Sequence, residues 1–246
     1  MEVDYQNKGL SLNDIQELKI ISQGNNSLFK RIVQRRSFGE PMDYIRGEIE
    51  FYGRLYKINR NTYIPDTQTE QLVKLFLKNV LDGASVVDVG TGTGNIAITL
   101  VKENPSLKVL GCDIYPPALE LARFNAERHK VNIPFIESNY VDDLHITAPN
   151  YIIADLPWGN EEHYWEDNDK NLIEHMPCHA CFHPEGILNS YLELFESISE
   201  NKKWSPIVYF ESGLITKKQV EQFFPKDLSF EYVTFENYSV TIVDLC

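Results

Sequence analysis

VVDVGTGTGN, residues 86–95, is the clearest fold signal in the sequence, because a short apolar run leads directly into three glycines at alternate positions. The apolar residues predict a buried strand that ends at Val89, and the glycines predict a tight turn into a helix. A turn without side chains lets a ligand approach the backbone N–H groups closely. Asn95 stands where a dinucleotide-binding fingerprint has its third glycine, so the pattern differs from that of ordinary dehydrogenases.

An acidic residue and a polar pair follow at spacings typical of a nucleotide site. Asp113 ends the next predicted strand, about 20 residues after the turn, where a carboxylate can hold two ribose hydroxyls. The strand after that ends in FIESNY, residues 135–140. There Asn139 can hydrogen-bond an adenine edge and Tyr140 can lie against its ring, or both can be ordinary loop residues.

Strand and helix patterns alternate on both sides of the glycine turn. Strands are predicted at Ser85–Val89, Leu107–Cys112, Ile133–Glu137, Tyr151–Ala154, Ile207–Phe210, Phe230–Thr234 and Ser239–Val243, and helices at Gln68–Asp82, Pro117–His129 and Gly186–Ser199. Such alternation predicts an α/β fold with a mostly parallel sheet covered by helices on both faces. The last two strands have no helix between them, which predicts an antiparallel C-terminal hairpin.

The N-terminal part has a different pattern. Residues 11–23 have helical spacing, a second short helix can start near Ser27, and a Gly53-Arg54 turn between Ile49–Tyr52 and Leu55–Ile58 predicts a β-hairpin. We therefore expect residues 1–65 to form a small cap of helices and a hairpin, and residues 66–246 to form the Rossmann-like domain.

Charge and hydropathy narrow the partners. The chain of 246 residues has 23 basic and 36 acidic residues and a formal net charge of −13, which disfavours nucleic acid as a partner. The N-terminal stretch lacks a signal-peptide pattern, and no apolar run is long enough for a membrane span. We expect a cytoplasmic protein that acts on a small molecule or peptide, with its oligomeric state left open.

Four cysteines are present, and two of them have CxxC spacing. Cys178 and Cys181 lie close to His175, His179 and His183, which is compatible with a zinc site. A single CxxC without a second paired cluster is weak support, so we predict no metal site.

ADLPWG, residues 154–159, follows the fourth predicted strand and has residue types suited to a methyl-transfer acceptor site. A side-chain oxygen and a following backbone carbonyl can accept hydrogen bonds from the two N–H groups of an amine. This aims the nitrogen lone pair at the methyl group that a bound donor would transfer. Asp155 can supply that oxygen, and Trp158 can attract a sulfonium cation through its ring face. The alternative is a structural turn after a strand.

The chain resembles the HemK-like (PrmC-like) release-factor glutamine methyltransferases from about Arg36 to the C-terminus. The matching stretches are RRSFGEPMDYIRGEIEFYGR (35–54), IPDTQTEQLV (64–73), VVDVGTGTGNIAI (86–98), GCDIYPPALELARFNA (111–126), MPCHACFHPEGIL (176–188) and YFESGLITKKQV (209–220). The resemblance implies a class I methyltransferase fold with a seven-stranded sheet and S-adenosylmethionine (SAM) as cofactor. It places the cofactor against Asp88, Gly90, Thr91, Gly92, Thr93, Gly94, Asp113, Ile114, Asn139, Tyr140 and Asp155, and the acceptor against Asp155, Leu156, Pro157 and Trp158. The predicted catalytic residues are Asp155, Trp158 and Asn139.

Four departures from the family lie around the reactive end of the cofactor and the cap. The family's Asn-Pro-Pro-Tyr is Asp-Leu-Pro-Trp at 155–158, its Ile-Pro-Arg-Pro-Glu-Thr-Glu is IPDTQTE, and its Asp-aromatic pair is Asn139-Tyr140. Only 34 residues precede Arg35, where the family has a larger helical domain. We infer that SAM is retained and that release-factor glutamine is not the substrate.

Three functions are compatible with these residues. The leading hypothesis is an N-methyltransferase that acts on an amine of a small molecule or peptide, because a carboxylate can hold an ammonium group and then accept its proton. The second is cyclisation of SAM itself to azetidine-2-carboxylate and methylthioadenosine, as in HemK-like relatives from natural-product biosynthesis. The third is a SAM-binding protein without catalysis.

Overall fold

The structure is a computed structural model that describes residues 9–157, 174–201, 203–213, 215–224, 228–236 and 238–245. The predicted contact Trp158 lies outside these ranges. No helix within them is long and apolar enough to cross a membrane.

A seven-stranded sheet forms the centre of the chain, preceded by a two-stranded hairpin. The strands are β1 (Glu48–Phe51), β2 (Arg54–Lys57), β3 (Ser85–Val89), β4 (Lys108–Asp113), β5 (Phe135–Glu137), β6 (Tyr151–Ala154), β7 (Ile207–Glu211), β8 (Phe230–Phe235) and β9 (Tyr238–Asp244). The helices are α1 (Leu12–Ser22), α2 (Asn26–Ser37), α3 (Met42–Arg46), α4 (Thr69–Asn79), α5 (Asn95–Glu103), α6 (Pro116–Arg128), α7 (Cys178–Cys181), α8 (Ile187–Glu200) and α9 (Lys217–Phe223).

The order of the large sheet is β5-β4-β3-β6-β7-β9-β8. Strands β3 to β7 are parallel, whereas β9 runs antiparallel to both β7 and β8. The predicted mostly parallel sheet with a C-terminal antiparallel hairpin is therefore confirmed. All parallel strands end at one edge of the sheet, so the residues that follow β3, β4, β5, β6 and β7 lie along a single row.

Two apolar layers cover the two faces of the sheet. Val86 and Ile153 point into the layer that contains helix α4, whereas Val87 and Ile152 point into the layer that contains helix α8. This alternation explains why the central strands are apolar at consecutive positions, since a parallel strand is buried on both faces.

One predicted turn is shifted by a residue. The hairpin turn is centred on Tyr52 and Gly53 rather than on Gly53 and Arg54, and Phe51 pairs with Arg54. Both central residues have positive φ values, 52° and 69°. That backbone belongs to the tight turn whose twist matches two antiparallel strands, and it places Arg54 on the second strand.

The hairpin β1–β2 shares the core of the large sheet. Phe51 and Tyr56 are fully buried and belong to the apolar layer over helices α4, α5 and α6. The side chain of Asn125 connects the hairpin to the glycine turn, because it accepts from Lys57 N at 2.8 Å and donates to the carbonyl of Thr93 at 2.9 Å. Helices α1 to α3, in contrast, pack around a separate apolar cluster that includes Leu18 and Ile32.

A buried carboxylate connects the N-terminal helices to the segment after the hairpin. Glu40 has no exposed side-chain surface and contacts two guanidinium groups, Arg35 at 2.5 Å and Arg60 at 2.7 Å. Burial raises its pKa, but the hydrogen bonds and charges of both arginines outweigh burial and lower the pKa to about 2. The nearby hydroxyl of Tyr44 donates to the carbonyl of Thr62 at 2.6 Å, which closes the same junction.

Replacing Glu40 with glutamine should destabilise the fold and change how stability depends on pH. We expect Glu40→Gln to lower the free energy of unfolding by about 2 kcal/mol at pH 7, less than for a fully buried pair because both arginines are partly exposed. The folded pKa lies below the unfolded one, so the wild-type advantage is present above about pH 4.3 and declines as the pH falls toward 2. Urea unfolding between pH 3 and pH 7 measures this, with Glu50→Gln on the exposed side of β1 as the control. Equal losses in both variants would contradict the assignment.

Candidate functional site

The turn after β3 forms a cradle that excludes side chains. Gly90, Gly92 and Gly94 have φ values of 72°, 52° and 77°, a region that favours glycine. A Cβ atom at Gly90 would lie 3.0 Å from the side chain of Leu156, and one at Gly94 would lie 3.2 Å from that of Ala122. The turn is therefore held closely between the loop after β6 and helix α6.

A buried carboxyl group supports the turn from below. Asp88 is fully buried, and its Oδ2 accepts from the Thr91 hydroxyl at 2.6 Å and from the Ala97 N–H at 3.1 Å. Its Oδ1 accepts no hydrogen bond from the part of the chain that the structure describes. Burial raises the pKa of Asp88 to about 7, and the charges of Asp155 and Asp113 add to this effect. In the same turn the Thr93 hydroxyl donates to the Asn95 side chain at 2.7 Å.

Asp113 lies at the end of β4, beside the cradle. Its Oδ2 accepts from Gly92 N and its Oδ1 from Tyr115 N, both at 2.9 Å. Burial raises the pKa of Asp113, although these two backbone N–H groups oppose the shift. Two fixed donors orient the carboxylate and leave its other lone pairs for a ligand. The neighbouring side chain, Ile114, is 60% exposed at the same edge and can cover a ligand held there.

The predicted adenine contacts lie after β5, at one end of the row. Asn139 is exposed and donates to Asp142 at 3.1 Å, whereas the Tyr140 hydroxyl donates to Glu193 at 3.0 Å. Burial and the Glu193 carboxylate raise the pKa of Tyr140. Strands β4 and β3 separate Asn139 from the loop after β6, which corresponds to about 14 Å across three strand spacings. The structure thus places Asn139 far from Asp155, although both were predicted to be catalytic.

The predicted acceptor residues follow β6, next to the cradle. The carboxylate of Asp155 accepts from the hydroxyl of Thr69 at 2.8 Å. Leu156 is buried against Gly90, and the Pro157 carbonyl accepts from the Ser190 hydroxyl at 2.9 Å. Helices α4 and α8 therefore hold this loop from two sides.

The sequence did not reveal two residues of this region, Thr69 and Glu211. Glu211 ends β7, and the pairing of Phe210 with Ala154 places it beside Asp155. Burial raises the pKa of Glu211 well above its ordinary value, and the charges of Asp155 and Asp66 contribute. The stretches IPDTQTE and YFESG contain these residues and resemble family stretches, but nothing in their spacing places them beside Asp155.

The segment with the CxxC spacing lies near Asp113. The ring of His179 is 4.4 Å from that of Tyr115, whereas His175 contacts the Phe38 carbonyl and His183 contacts Glu193. The three histidines thus have different partners. Over the described ranges, no three His, Cys, Asp or Glu side chains form a group that could hold a metal ion. The absence of zinc stays a prediction.

Comparison with protein families shows what the chain is related to. Residues 63–189 match the methyltransferase small domain. The release factor glutamine methyltransferase of Staphylococcus aureus is 36% identical over 195 residues, which cover 75% of this chain and 67% of that protein. The corresponding enzyme of Aliivibrio fischeri is 30% identical over 90% of this chain and 78% of its own length. That of Nitratidesulfovibrio vulgaris is 39% identical, and the match spans about half of its length, 49%.

Solved structures share the architecture. The hMettl16 catalytic domain in complex with a MAT2A 3'UTR hairpin superposes with a TM-score of 0.57 and 11% identity, covering 77% of this chain and 74% of that one. A methyltransferase from Pyrococcus furiosus superposes with a TM-score of 0.54 and 16% identity, covering 78% and 89%. At such identities the likeness concerns the fold alone, which is that of class I methyltransferases.

The relatives, the matched domain and the glycine cradle at the end of β3 lead to one conclusion. The chain belongs to the HemK-like family of SAM-dependent methyltransferases, together with the release factor glutamine methyltransferases.

Proposed function

We propose that the protein methylates an amine nitrogen of a small molecule or peptide, with SAM as the methyl donor. The observation that carries this proposal is the carboxylate of Asp155, which follows β6 at the position where the HemK-like family has an asparagine. The Thr69 hydroxyl donates to this carboxylate, and the next residue, Leu156, packs against Gly90 of the glycine cradle.

The residues of the cradle fit the cofactor. Of the three glycines, Gly92 has free space at its Cβ position, whereas Gly90 and Gly94 let the turn pack closely against Leu156 and Ala122. The Asp113 carboxylate has lone pairs available for two ribose hydroxyls. We assign Ile114, Asn139 and Tyr140 to the adenine end and the loop after β6 to the reactive end. SAM supplies an electrophilic methyl group, and the amine that accepts it releases a proton.

The charge of the acceptor end favours an amine over an amide. An asparagine side chain pairs with an amide by donor and acceptor, whereas a carboxylate attracts an ammonium group and can accept its proton. Acidic neighbours surround the position: burial and the charges of Asp155 and Asp66 raise the pKa of Glu211, and burial and the charges of Glu211, Asp155 and Asp66 raise the pKa of the Tyr238 hydroxyl. This charge pattern supports an amine acceptor in place of release-factor glutamine.

One assay distinguishes the proposed methylation from cyclisation of SAM and from binding without catalysis. The protein is incubated with SAM alone, with a panel of amino acids, polyamines and short peptides, and with a release-factor glutamine peptide. S-adenosylhomocysteine that forms only with an amine supports the proposal. Enzyme-dependent methylthioadenosine from SAM alone identifies a cyclase. Turnover of the glutamine peptide alone identifies the substrate of the relatives. If no product forms, the protein binds SAM without catalysis.

Removing the ribose carboxylate should weaken cofactor binding. We expect Asp113→Ala to reduce SAM affinity at least about tenfold, because a charge-assisted hydrogen-bond pair is lost. Titration calorimetry measures this change, and circular dichroism checks that the variant is folded. Glu137→Ala is the matched control, since Glu137 pairs with Asp113 in register on β5 but is exposed. Unchanged affinity in a folded Asp113→Ala protein would rule out the ribose role.

Replacing the acceptor carboxylate should slow methylation while leaving the cofactor bound. We expect Asp155→Asn to reduce the rate roughly 10²-fold, because the amide can neither balance an ammonium charge nor accept its proton. The rate of S-adenosylhomocysteine formation with the active amine is the measurement, and SAM affinity is the companion measurement. Asp82→Asn, before β3 at the opposite edge of the sheet, is the control. A full rate in Asp155→Asn would refute the role given to this carboxylate.

A further inference from the structure

Strand register brings two carboxyl groups together at the acceptor end. Ala154 on β6 is the partner of Phe210 on β7, so the next residues, Asp155 and Glu211, emerge side by side. Both side chains point to the face covered by α4, because side chains alternate along a strand and Ile153 and Tyr209 already face that layer. The first residue of α4, Thr69, reaches Asp155 from above.

Two carboxyl groups that lie side by side can form a hydrogen bond only if one of them carries a proton, because an ionised carboxylate only accepts. Asp155 accepts from the Thr69 hydroxyl, which makes it the acceptor of the pair. Glu211 is in the opposite situation, since burial and the charges of Asp155 and Asp66 raise its pKa. The shared proton therefore belongs to Glu211.

The other groups that face Glu211 are Asp66, Tyr191 and Tyr238, all of them acids. Tyr238 is 5% exposed, and its hydroxyl is close enough to lower the pKa of Glu211. Nevertheless, it has no partner of normal hydrogen-bond geometry within the described residues. A buried hydroxyl without a full hydrogen bond is costly, and here this donor lies near the carboxyl pair.

We propose that Glu211 is a positioning residue of the acceptor site, which as a neutral acid donates a hydrogen bond to the Asp155 carboxylate. With Thr69 as the second donor, the Asp155 carboxylate is held in place and carries the single negative charge of the pair. One charge on two carboxyl groups matches one ammonium group, so the site selects a monocationic amine. This functional meaning rests on the proposed function, whereas the protonation of Glu211 is measurable without any substrate.

Infrared spectroscopy tests the protonation directly. Protein labelled with ¹³C at the glutamate side-chain carboxyl should show the band of a protonated carboxylic acid at pH 7, and Glu211→Gln should lack it. The label excludes Asp88, which is the other carboxyl of the cradle region with a strongly raised pKa. A labelled wild-type protein with carboxylate bands alone would overturn the proposal, even if Glu211→Gln does not fold.

The pH dependence of stability provides a second readout. The folded pKa of Glu211 lies above the unfolded one, so this carboxyl makes the wild type progressively less stable as the pH rises above about 4.3. Glu211→Gln keeps a donor and cannot ionise, so its free energy of unfolding should exceed that of the wild type increasingly from pH 5 to pH 8. Glu231→Gln, exposed on β8, is the matched control and should run parallel to the wild type. A parallel profile for Glu211→Gln would contradict the proposal.

Kinetics separate positioning from proton abstraction. With an amine that yields S-adenosylhomocysteine, we expect the wild-type rate to decline at alkaline pH, where Glu211 ionises and ceases to be a donor. Glu211→Gln should keep most of the rate at pH 7 and should not show this decline. Glu211→Ala should be about 10- to 100-fold slower, because Asp155 loses a donor. Equal losses in both variants would overturn the donor role. If no amine reacts, the proposed function fails, whereas the infrared result still decides the state of Glu211.

Discussion

The close approach of the backbone at Gly90 to the loop after β6 is the constraint on which the site depends. At 3.0 Å from Leu156, the position of a Cβ atom is already occupied, so a side chain at residue 90 would separate the cofactor cradle from the acceptor loop. Asp88 below the turn and Asn125 beside it hold the backbone in this path. Transfer of a group between two ligands requires their reacting atoms to be in contact, and this turn sets that distance.

Electrostatics form the second organising feature. Acidic side chains lie at or next to the carboxyl ends of four parallel strands, namely Asp88 on β3, Asp113 on β4, Asp155 after β6 and Glu211 on β7. A sulfonium or an ammonium group bound there would meet a negative potential. Repulsion within such a row falls where a carboxyl group takes up a proton, and burial raises the pKa of both Asp88 and Glu211. Under the proposed function this arrangement suits a cationic amine, on a scaffold shared with the release factor glutamine methyltransferases.

Most of the fold could be predicted from the sequence, because apolar runs such as Tyr151–Ala154 and the glycine turn are local signals. The cofactor residues were predicted for the same reason, since a strand, a turn and an acid at fixed spacing lie within 30 residues, and their role stays a prediction. Thr69 and Glu211 could not be found in this way. Their proximity to Asp155 depends on β7 pairing with β6 and on α4 crossing that strand end, and a linear pattern locates strands without identifying their neighbours. The shifted hairpin turn is a smaller failure, caused by a tyrosine with positive φ that composition does not indicate.

The separate apolar cluster of helices α1 to α3 has a consequence for how this enzyme can diverge. In the described part of the chain these helices pack around their own apolar cluster, whereas the hairpin belongs to the core of the sheet, so the boundary between the two parts lies near Gly47. The connection across that point is made by the Glu40 carboxylate and the Tyr44 hydroxyl. Any other helical segment placed before the hairpin would have to preserve these two groups, because they connect the N-terminal helices to Arg60 and Thr62.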